Sequence, residues 1–328
     1  MFKSIQIVRP INLLIIVATM LLCRWSITNV SILEKLFIDP MLTNFWFILL
    51  VISTVCIAAA GYIVNDIYDV DMDRVNKPNK VIIGKYLSEK VAWYIYFVLS
   101  IIGVAIGFYI AEKLHMTKLG VLHVMMVALL FFYAHFIKRT LFWGNFIISF
   151  CTAFTVAILI FFDLDHVHDM NSTQATMYLG TYAALIGYTF FAFWTTFMRE
   201  IIKDVEDMEG DNDFGCRSIP IVYGIYKTKW IVGALNAVLL VLYILFIVLF
   251  LENQYYIGMV VVLGLLILPT LFFQWKLKTA QTKPDFKYLS NILKSMMVFG
   301  LSTLIFLHNG MAAKIFISFF DLLGFNLI

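Results

Sequence analysis

Long apolar runs recur along this chain near 11–31, 42–63, 91–112, 118–137, 142–162, 175–198, 230–251, 255–274 and 296–320. A hydrocarbon core of about 30 Å takes roughly 20 residues of helix to cross, so each run is long enough for a span. Period-two alternation is absent and the runs are too long for barrel strands, which leaves a helical bundle, because backbone polar groups inside lipid must be satisfied within their own helix. Composition agrees: 62% of the residues are hydrophobic, 14% are charged, and the mean hydropathy is +0.90. The expected fold is all-α, a polytopic membrane protein of about nine transmembrane helices. No linker or low-complexity tract interrupts it, so residues 1–328 read as a single membrane-embedded domain.

Charge sets the expected orientation. With the N-terminus on the cytoplasmic side, the inner segments hold 19 lysines and arginines and the outer segments hold only Lys35, Lys113, Lys118 and Lys314, as the positive-inside rule requires. Arg24 falls within the first run and reads as a side chain snorkelling to the outer interface. That run lacks a small-residue cleavage site and is broken by Arg24-Trp25, so it reads as a mature helix rather than a signal peptide. Cys23, Cys56, Cys151 and Cys216 are scattered, which supports neither a disulfide framework nor a metal cluster. A net charge of +3 is accounted for by the basic inner loops and gives no reason to expect nucleic acid.

The acidic residues are distributed very differently. Of 21 in the chain, 11 lie in two short stretches. The first, NDIYDVDMD at 65–73, directly follows an apolar run; the second, REIIKDVEDMEGDND at 199–213, follows another. Asp66, Asp69 and Asp73 have the same spacing as Asp204, Asp207 and Asp211. On a helix turning about 100° per residue, offsets of three and seven return to nearly one side, and Asn65 joins that face. Like charges so placed repel, and something must compensate. Both stretches fall on the cytoplasmic side of the expected topology, where two facing arrays of carboxylate oxygens suit Mg2+, an ion usually shared between protein carboxylates, waters and substrate phosphates. The implied ligand is a diphosphate. Basic residues stand near both stretches: Arg9, Arg74, Lys77, Lys138, Arg139, Arg199, Lys203 and Arg217.

These residues resemble a known family. NDIYDVDMD matches the NDxxDxxxD pattern, and DVEDMEGD the DxxDxxxD pattern, of the UbiA superfamily of intramembrane prenyltransferases. The resemblance covers most of the chain. It implies that an isoprenoid diphosphate, held through Mg2+, with two ions expected, ionises and alkylates a membrane-soluble acceptor. Carried over position by position, it implies metal ligation by Asn65, Asp66, Asp69, Asp73, Asp204, Asp207 and Asp211. It also implies substrate binding by Arg9 and Asn12 of the RPIN element, by Tyr133, Lys138 and Arg139 at the end of the fourth run, and by Arg74 and Lys203. Asp69, Asp207, Lys138 and Arg139 are the expected catalytic groups. The stretch REIIKDVEDMEGD, with RPIN and DMDRVNKPNK, is most similar to the digeranylgeranylglyceryl phosphate synthase branch, which implies a geranylgeranyl donor and a lipid hydroxyl as acceptor. KVIIGK at 80–85 departs from that branch's RPIPSG-like run. An aromatic quinone precursor, of the 4-hydroxybenzoate or dihydroxynaphthoate type, is the alternative acceptor.

The chemistry follows from the residue types. An allylic diphosphate gathers anionic charge as it leaves, and cations fixed around it stabilise that charge most in the transition state. The allylic cation left behind needs a dry cavity with π faces. Cation transport is the remote alternative, but it would place acids near the bilayer midplane, and here they gather at the inner boundary. His123 and His135 read as bundle packing rather than as proton acceptors. Gly103 and Gly107 read as a small-residue contact, within the bundle or between copies.

Overall fold

In a computed structural model, the protein is described over residues 2–26, 42–79, 81–163, 172–306, 311–322 and 324. Every regular element among these residues is helical. After a short helical turn at Phe2–Ile5 come α1 (Pro10–Ser26), α2 (Asn44–Tyr68), α3 (Val70–Asn76), α4 (Glu89–Lys113), α5 (Gly120–His135), α6 (Trp143–Asp163) and α7 (Ser172–Asp213). The chain continues through α8 (Ile219–Glu252), α9 (Tyr256–Val262), α10 (Leu268–Thr279), α11 (Lys283–Ser302) and α12 (Met311–Leu322). Seven of the described helical stretches are long and apolar enough to cross a membrane. Of the rest, α1 has 17 residues, α12 has 12 and α7 has 42. Lys35 and Lys80 lie outside the described residues.

Local chemistry explains the boundaries. Ser88 caps α4, its hydroxyl accepting from the Val91 amide at 3.4 Å. Gly224, with φ of 78°, breaks the helical path inside α8, a conformation that costs a residue without Cβ little. Between α9 and α10 the turn Leu263–Ile267 is π-helical and ends just before Pro269. A proline has no amide to donate and its ring crowds the carbonyl four residues back; a wider turn relieves both.

One expected span is different. The apolar run at 296–320 is divided between α11 and α12, and α11 starts far earlier, at Lys283. A capping box sets this start: Thr282 and Asp285 satisfy each other's backbone amides, with Pro284 in the first turn, a combination that starts a helix regardless of hydropathy. Lys287 and Lys294, which fall between the apolar runs 255–274 and 296–320, are therefore helical.

The long helix α7 organises the bundle. It packs against α6, α8, α11 and α12, while α2 packs against α4, α5 and α1. The short α3 also touches α7, and this contact unites the two halves at their acidic ends. A large apolar core fills the bundle, and a smaller one, including Ile7, Ile63, Val64, Ile67 and Tyr96, lies at the acidic end of α2. Gly103 and Gly107 are used inside the chain: a Cβ at Gly103 would fall 2.7 Å from Ile57 and one at Gly107 2.3 Å from the His123 ring. Ser53 ties the same contact by donating to the Gly103 carbonyl at 2.6 Å. Arg24 corrects another expectation. Rather than snorkelling outward it is buried, donating to the Leu42 carbonyl and lying 5.6 Å over the Phe47 ring. A fixed carbonyl and a π face replace the water that a charged group otherwise seeks.

Candidate active site

The first acidic stretch is a helix with one deformed joint. Asp69, at φ −97° and ψ 0°, separates α2 from α3, yet the amide of Asp69 still donates to Asn65 and that of Asp73 to Asp69. Asn65, Asp66, Asp69 and Asp73 thus keep nearly the helical face expected of them. Asn65 donates to Asp69 at 2.7 Å, Arg9 pairs with Asp66 at 2.6 Å, and Lys138 pairs with Asp69 at 2.5 Å. The Lys138 and Asp69 side chains are only 9% and 15% exposed, so this pair is shielded from screening by bulk water. Arg9 adopts φ of 50°, which turns the chain before Pro10 and sets its guanidinium 5.0 Å above the Tyr62 ring.

The second stretch lies on α7. Lys77 reaches across from the end of α3 to Asp207 at 2.5 Å. Asn76 joins the two stretches: its side-chain nitrogen donates to Asp211 at 3.1 Å, and its oxygen accepts from the Gly210 amide at 3.0 Å. A Cβ at Gly210 would lie 2.4 Å from Asn76, so this approach requires glycine. Asp204 accepts from Asn145 of α6 at 2.8 Å. Deeper on α7, buried Glu200 accepts from Arg199 at 2.8 Å and from Lys203 at 2.9 Å. Tyr133 stands among Glu200, Asp69, Asp204 and Arg9.

Burial and mutual repulsion strain the acids electrostatically. Burial, with Asp69 next in effect, pushes Asp73 up to about 6. Asp211 is pushed up to about 7 by burial and then by Asp207, and Asp204 to about 8 chiefly by burial. Carboxylates this reluctant to ionise call for added positive charge.

The donor set fits Mg2+. All the groups are hard oxygens, the ammonium groups of Lys77 and Lys138 already hold positive charge against Asp207 and Asp69, and the second oxygen of Asp207 is buried without a partner. Among the described residues no three His, Cys, Asp or Glu side chains are placed to hold one metal ion together. An open arrangement suits an ion that takes one or two carboxylates and completes its shell with water and phosphate.

Several expectations are corrected or extended. Arg74 is 61% exposed and pairs with Asp71, itself 72% exposed; both face away from the cluster, and Lys77 occupies the position expected of Arg74. Lys203 is committed to Glu200. Arg139 lies exposed at the rim, its carbonyl accepting from the Arg217 amide at 2.9 Å. Asn12 accepts from Lys294 at 3.2 Å. His135 is packed against Tyr68 and Phe131, and His123 against Phe162; His123 lies about 18 Å along α5 from its acidic end. Asn145 and Lys294 carried no motif signal, while Asn76 and Glu200 lie inside the stretches 71–80 and 199–213 without being singled out there. A lone polar residue in an apolar run was the available hint for Asn145.

Comparisons with known proteins converge on one family. Residues 34–295 match the profile of the UbiA prenyltransferase family. Digeranylgeranylglyceryl phosphate synthase of Korarchaeum cryptofilum is 30% identical over 209 residues, covering 64% of this chain and 67% of that protein. The protein of the same name from Saccharolobus solfataricus is 29% identical, covering 57% of this chain and 59% of the relative; that from Sulfurisphaera tokodaii is 25% identical, covering 79% and 83%. Among solved structures, one concerning digeranylgeranylglyceryl phosphate synthase in membranes aligns with a TM-score of 0.57 at 21% identity, covering 96% of this chain and all of that one. A UbiA homologue from Archaeoglobus fulgidus bound to GPP and Mg2+ aligns with a TM-score of 0.55 at 16% identity, covering 92% and 99%.

Proposed function

The chain belongs to the UbiA prenyltransferase family and is a prenyltransferase, and from that premise we propose that it transfers a geranylgeranyl group from its diphosphate to the free hydroxyl of a prenylglyceryl phosphate, with two Mg2+ ions. Residues 1–328 act as one membrane domain whose site mouth faces the cytoplasm. The observation that carries the reading is the bridge by Asn76 and Lys77, which draws the acids of α2 and α3 to those of α7. Two acidic faces tied edge to edge at one end of an apolar bundle make a seat for a polyanion whose apolar tail lies among the helices. The likeness to the archaeal lipid synthases supports the choice of acceptor.

Asn65, Asp66, Asp69, Asp73, Asp204, Asp207 and Asp211 would hold the ions, which when bound neutralise the diphosphate as it leaves. Lys138 and Lys77 already stand on Asp69 and Asp207. They shift part of their charge to the diphosphate oxygens, and Arg139 meets the same group from the rim. As the C–O bond of the donor breaks, the electron pair goes to diphosphate, where fixed cations lower the barrier most; losing one such group costs about 3–4 kcal/mol. Arg9, oriented by Asp66 and the Tyr62 ring, and Tyr133 position the reacting end. The acceptor oxygen then bonds to the allylic carbon and releases its proton to the departed diphosphate, while the apolar bundle excludes water.

An end-point assay tests this. Detergent-purified protein is given Mg2+, geranylgeranyl diphosphate and, in separate arms, geranylgeranylglyceryl phosphate, 4-hydroxybenzoate or dihydroxynaphthoate, and lipid extracts are weighed by mass spectrometry. One added geranylgeranyl unit on the glycerol lipid is the expected result. A gain on an aromatic acid alone would move the chain to quinone-type chemistry, and no transfer to any acceptor would refute the reading.

A further inference from the structure

Behind the diphosphate seat lies a second set of cations, of which only Lys203 also faces an aspartate of the motifs. Glu200, buried, serves two of them at once, Arg199 at 2.8 Å and Lys203 at 2.9 Å. One carboxylate therefore faces two positive charges, and the Arg199 Nε is buried with no partner. Lys294 of α11 adds a third. Its ammonium meets only the neutral side-chain oxygen of Asn12, at 3.2 Å; among the described residues it has no carboxylate partner, and Arg199 is its main charged neighbour. Asn12 in turn stands by Tyr62, the ring beneath Arg9. This group joins α1, α7 and α11 on the bundle side of Asp66, and Arg9 there is already paired with Asp66. Glu200 is shared between Arg199 and Lys203, and Lys203 also faces Asp207, so Lys294 and the Nε side of Arg199 are left without an acid among the described residues. Holding like charges together within a membrane bundle is costly unless an anion completes them.

We propose that Lys294 and Arg199, positioned by Asn12 and Glu200, form a second anion site that binds the phosphate monoester of the acceptor. This rests on the prenyl-transfer reading above and deepens it by naming what selects the acceptor. Three features suit a phosphate monoester. The partnerless Nε and the ammonium offer donors from two helices, their positive charge suits an anion, and the pair stands apart from the carboxylates expected to hold the donor's diphosphate. Charge-assisted hydrogen bonds of this kind contribute enough to favour a phosphate-bearing lipid over the corresponding alcohol by about 10- to 100-fold.

Equilibrium binding to the full chain in detergent, without donor or Mg2+, tests the site. The probes are geranylgeranylglyceryl phosphate, geranylgeranylglycerol and inorganic phosphate; the proteins are wild type, Lys294→Met and Lys294→Arg. The expected result is that wild type prefers the phosphate lipid by about tenfold or more, that Lys294→Met loses the preference, and that Lys294→Arg restores most of it. In turnover, Lys294→Met should raise KM for the acceptor and leave KM for the donor unchanged. Equal binding of the two lipids by wild type, or a preference that survives in Lys294→Met, would overturn the proposal. Lys294-dependent binding of inorganic phosphate without discrimination between the lipids would overturn the headgroup assignment and make this a free-phosphate site. Lys294→Arg guards against misfolding in the methionine variant. If wild type transfers no prenyl group yet shows the Lys294-dependent preference, the function fails and the site stands.

Discussion

Asp207 gives one oxygen to Lys77 and keeps the other buried and unpartnered, so its charge is committed to groups that arrive with the substrate. Asp69 differs in having both oxygens engaged, one by Lys138 and the other by Asn65. Asp69→Asn or Asp207→Asn is expected to lower turnover by about 100-fold or more while leaving the melting temperature near that of wild type, because a carboxylate expected to hold the metal and fix a lysine beside the leaving group is lost and little packing changes. Wild-type rates in either variant would mean that the acids are only solvated charge. Asn145 is not among the expected metal or substrate groups, but it fixes Asp204 at 2.8 Å. Asn145→Ala should weaken metal affinity by about 10- to 100-fold, as removal of groups that orient metal ligands does, read from the Mg2+ dependence of turnover. Arg74→Ala should leave turnover nearly unchanged, since its exposed pair with Asp71 contributes at most about 1 kcal/mol; a loss equal to that of Lys77→Met would restore Arg74 to the site. Repeated acids were legible in the sequence because their spacing is itself a pattern. Asn145 and the split of roles between Arg74 and Lys77 were not, because a lone amide carries no spacing and because the path of the chain past Asn76 decides which cation turns inward.

Elements show the same division. Hydropathy located α2, α4, α5 and α6 well, since each is apolar on all sides and bounded by charge. It misplaced α11, whose first half carries Lys287 and Lys294 and is started by the Thr282–Asp285 box rather than by apolar residues. Gly103 and Gly107 in α4 were legible as small-residue positions, but only the packed structure shows that Ile57 and His123 of the same chain fill the space. Gly107→Ala must displace a buried ring, and overpacking of this sort costs about 1–3 kcal/mol. Gly264, in the π-turn before α10, has nothing within 4 Å of a Cβ, so Gly264→Ala is expected to change stability by less than about 0.5 kcal/mol. Denaturant unfolding in detergent micelles separates the two. Equal effects would mean that the α4 and α5 contact is looser than this packing.

For the molecule as a whole, the two acidic stretches come from opposite halves, and closing them over a polyanion couples the site to the stability of the bundle. Asp73, Asp211 and Asp204 are raised to about 6, 7 and 8 from an ordinary 3.8. Between about pH 4 and 8, the metal-free native state therefore binds more protons than the unfolded chain. Stability falls wherever the native state is the more protonated, so the metal-free protein should melt at progressively lower temperature as pH rises through that window. A divalent ion has to displace those protons, and its apparent affinity should rise over the same range. Mg2+ with inorganic diphosphate, which bind the folded state alone, should then stabilise the protein most at the upper end, by about 2.7 kcal/mol at a hundredfold excess over Kd. Melting curves at pH 5, 6.5 and 8, each with chelator or with Mg2+ and diphosphate, measure both trends at once. Opposite pH slopes for the metal-free and loaded protein would mark the acids as a seat that is protonated when idle. A metal-free protein that gains stability with rising pH would instead mean that Lys77, Lys138 and Arg9 already neutralise the acids, and that the metal adds charge where none is required.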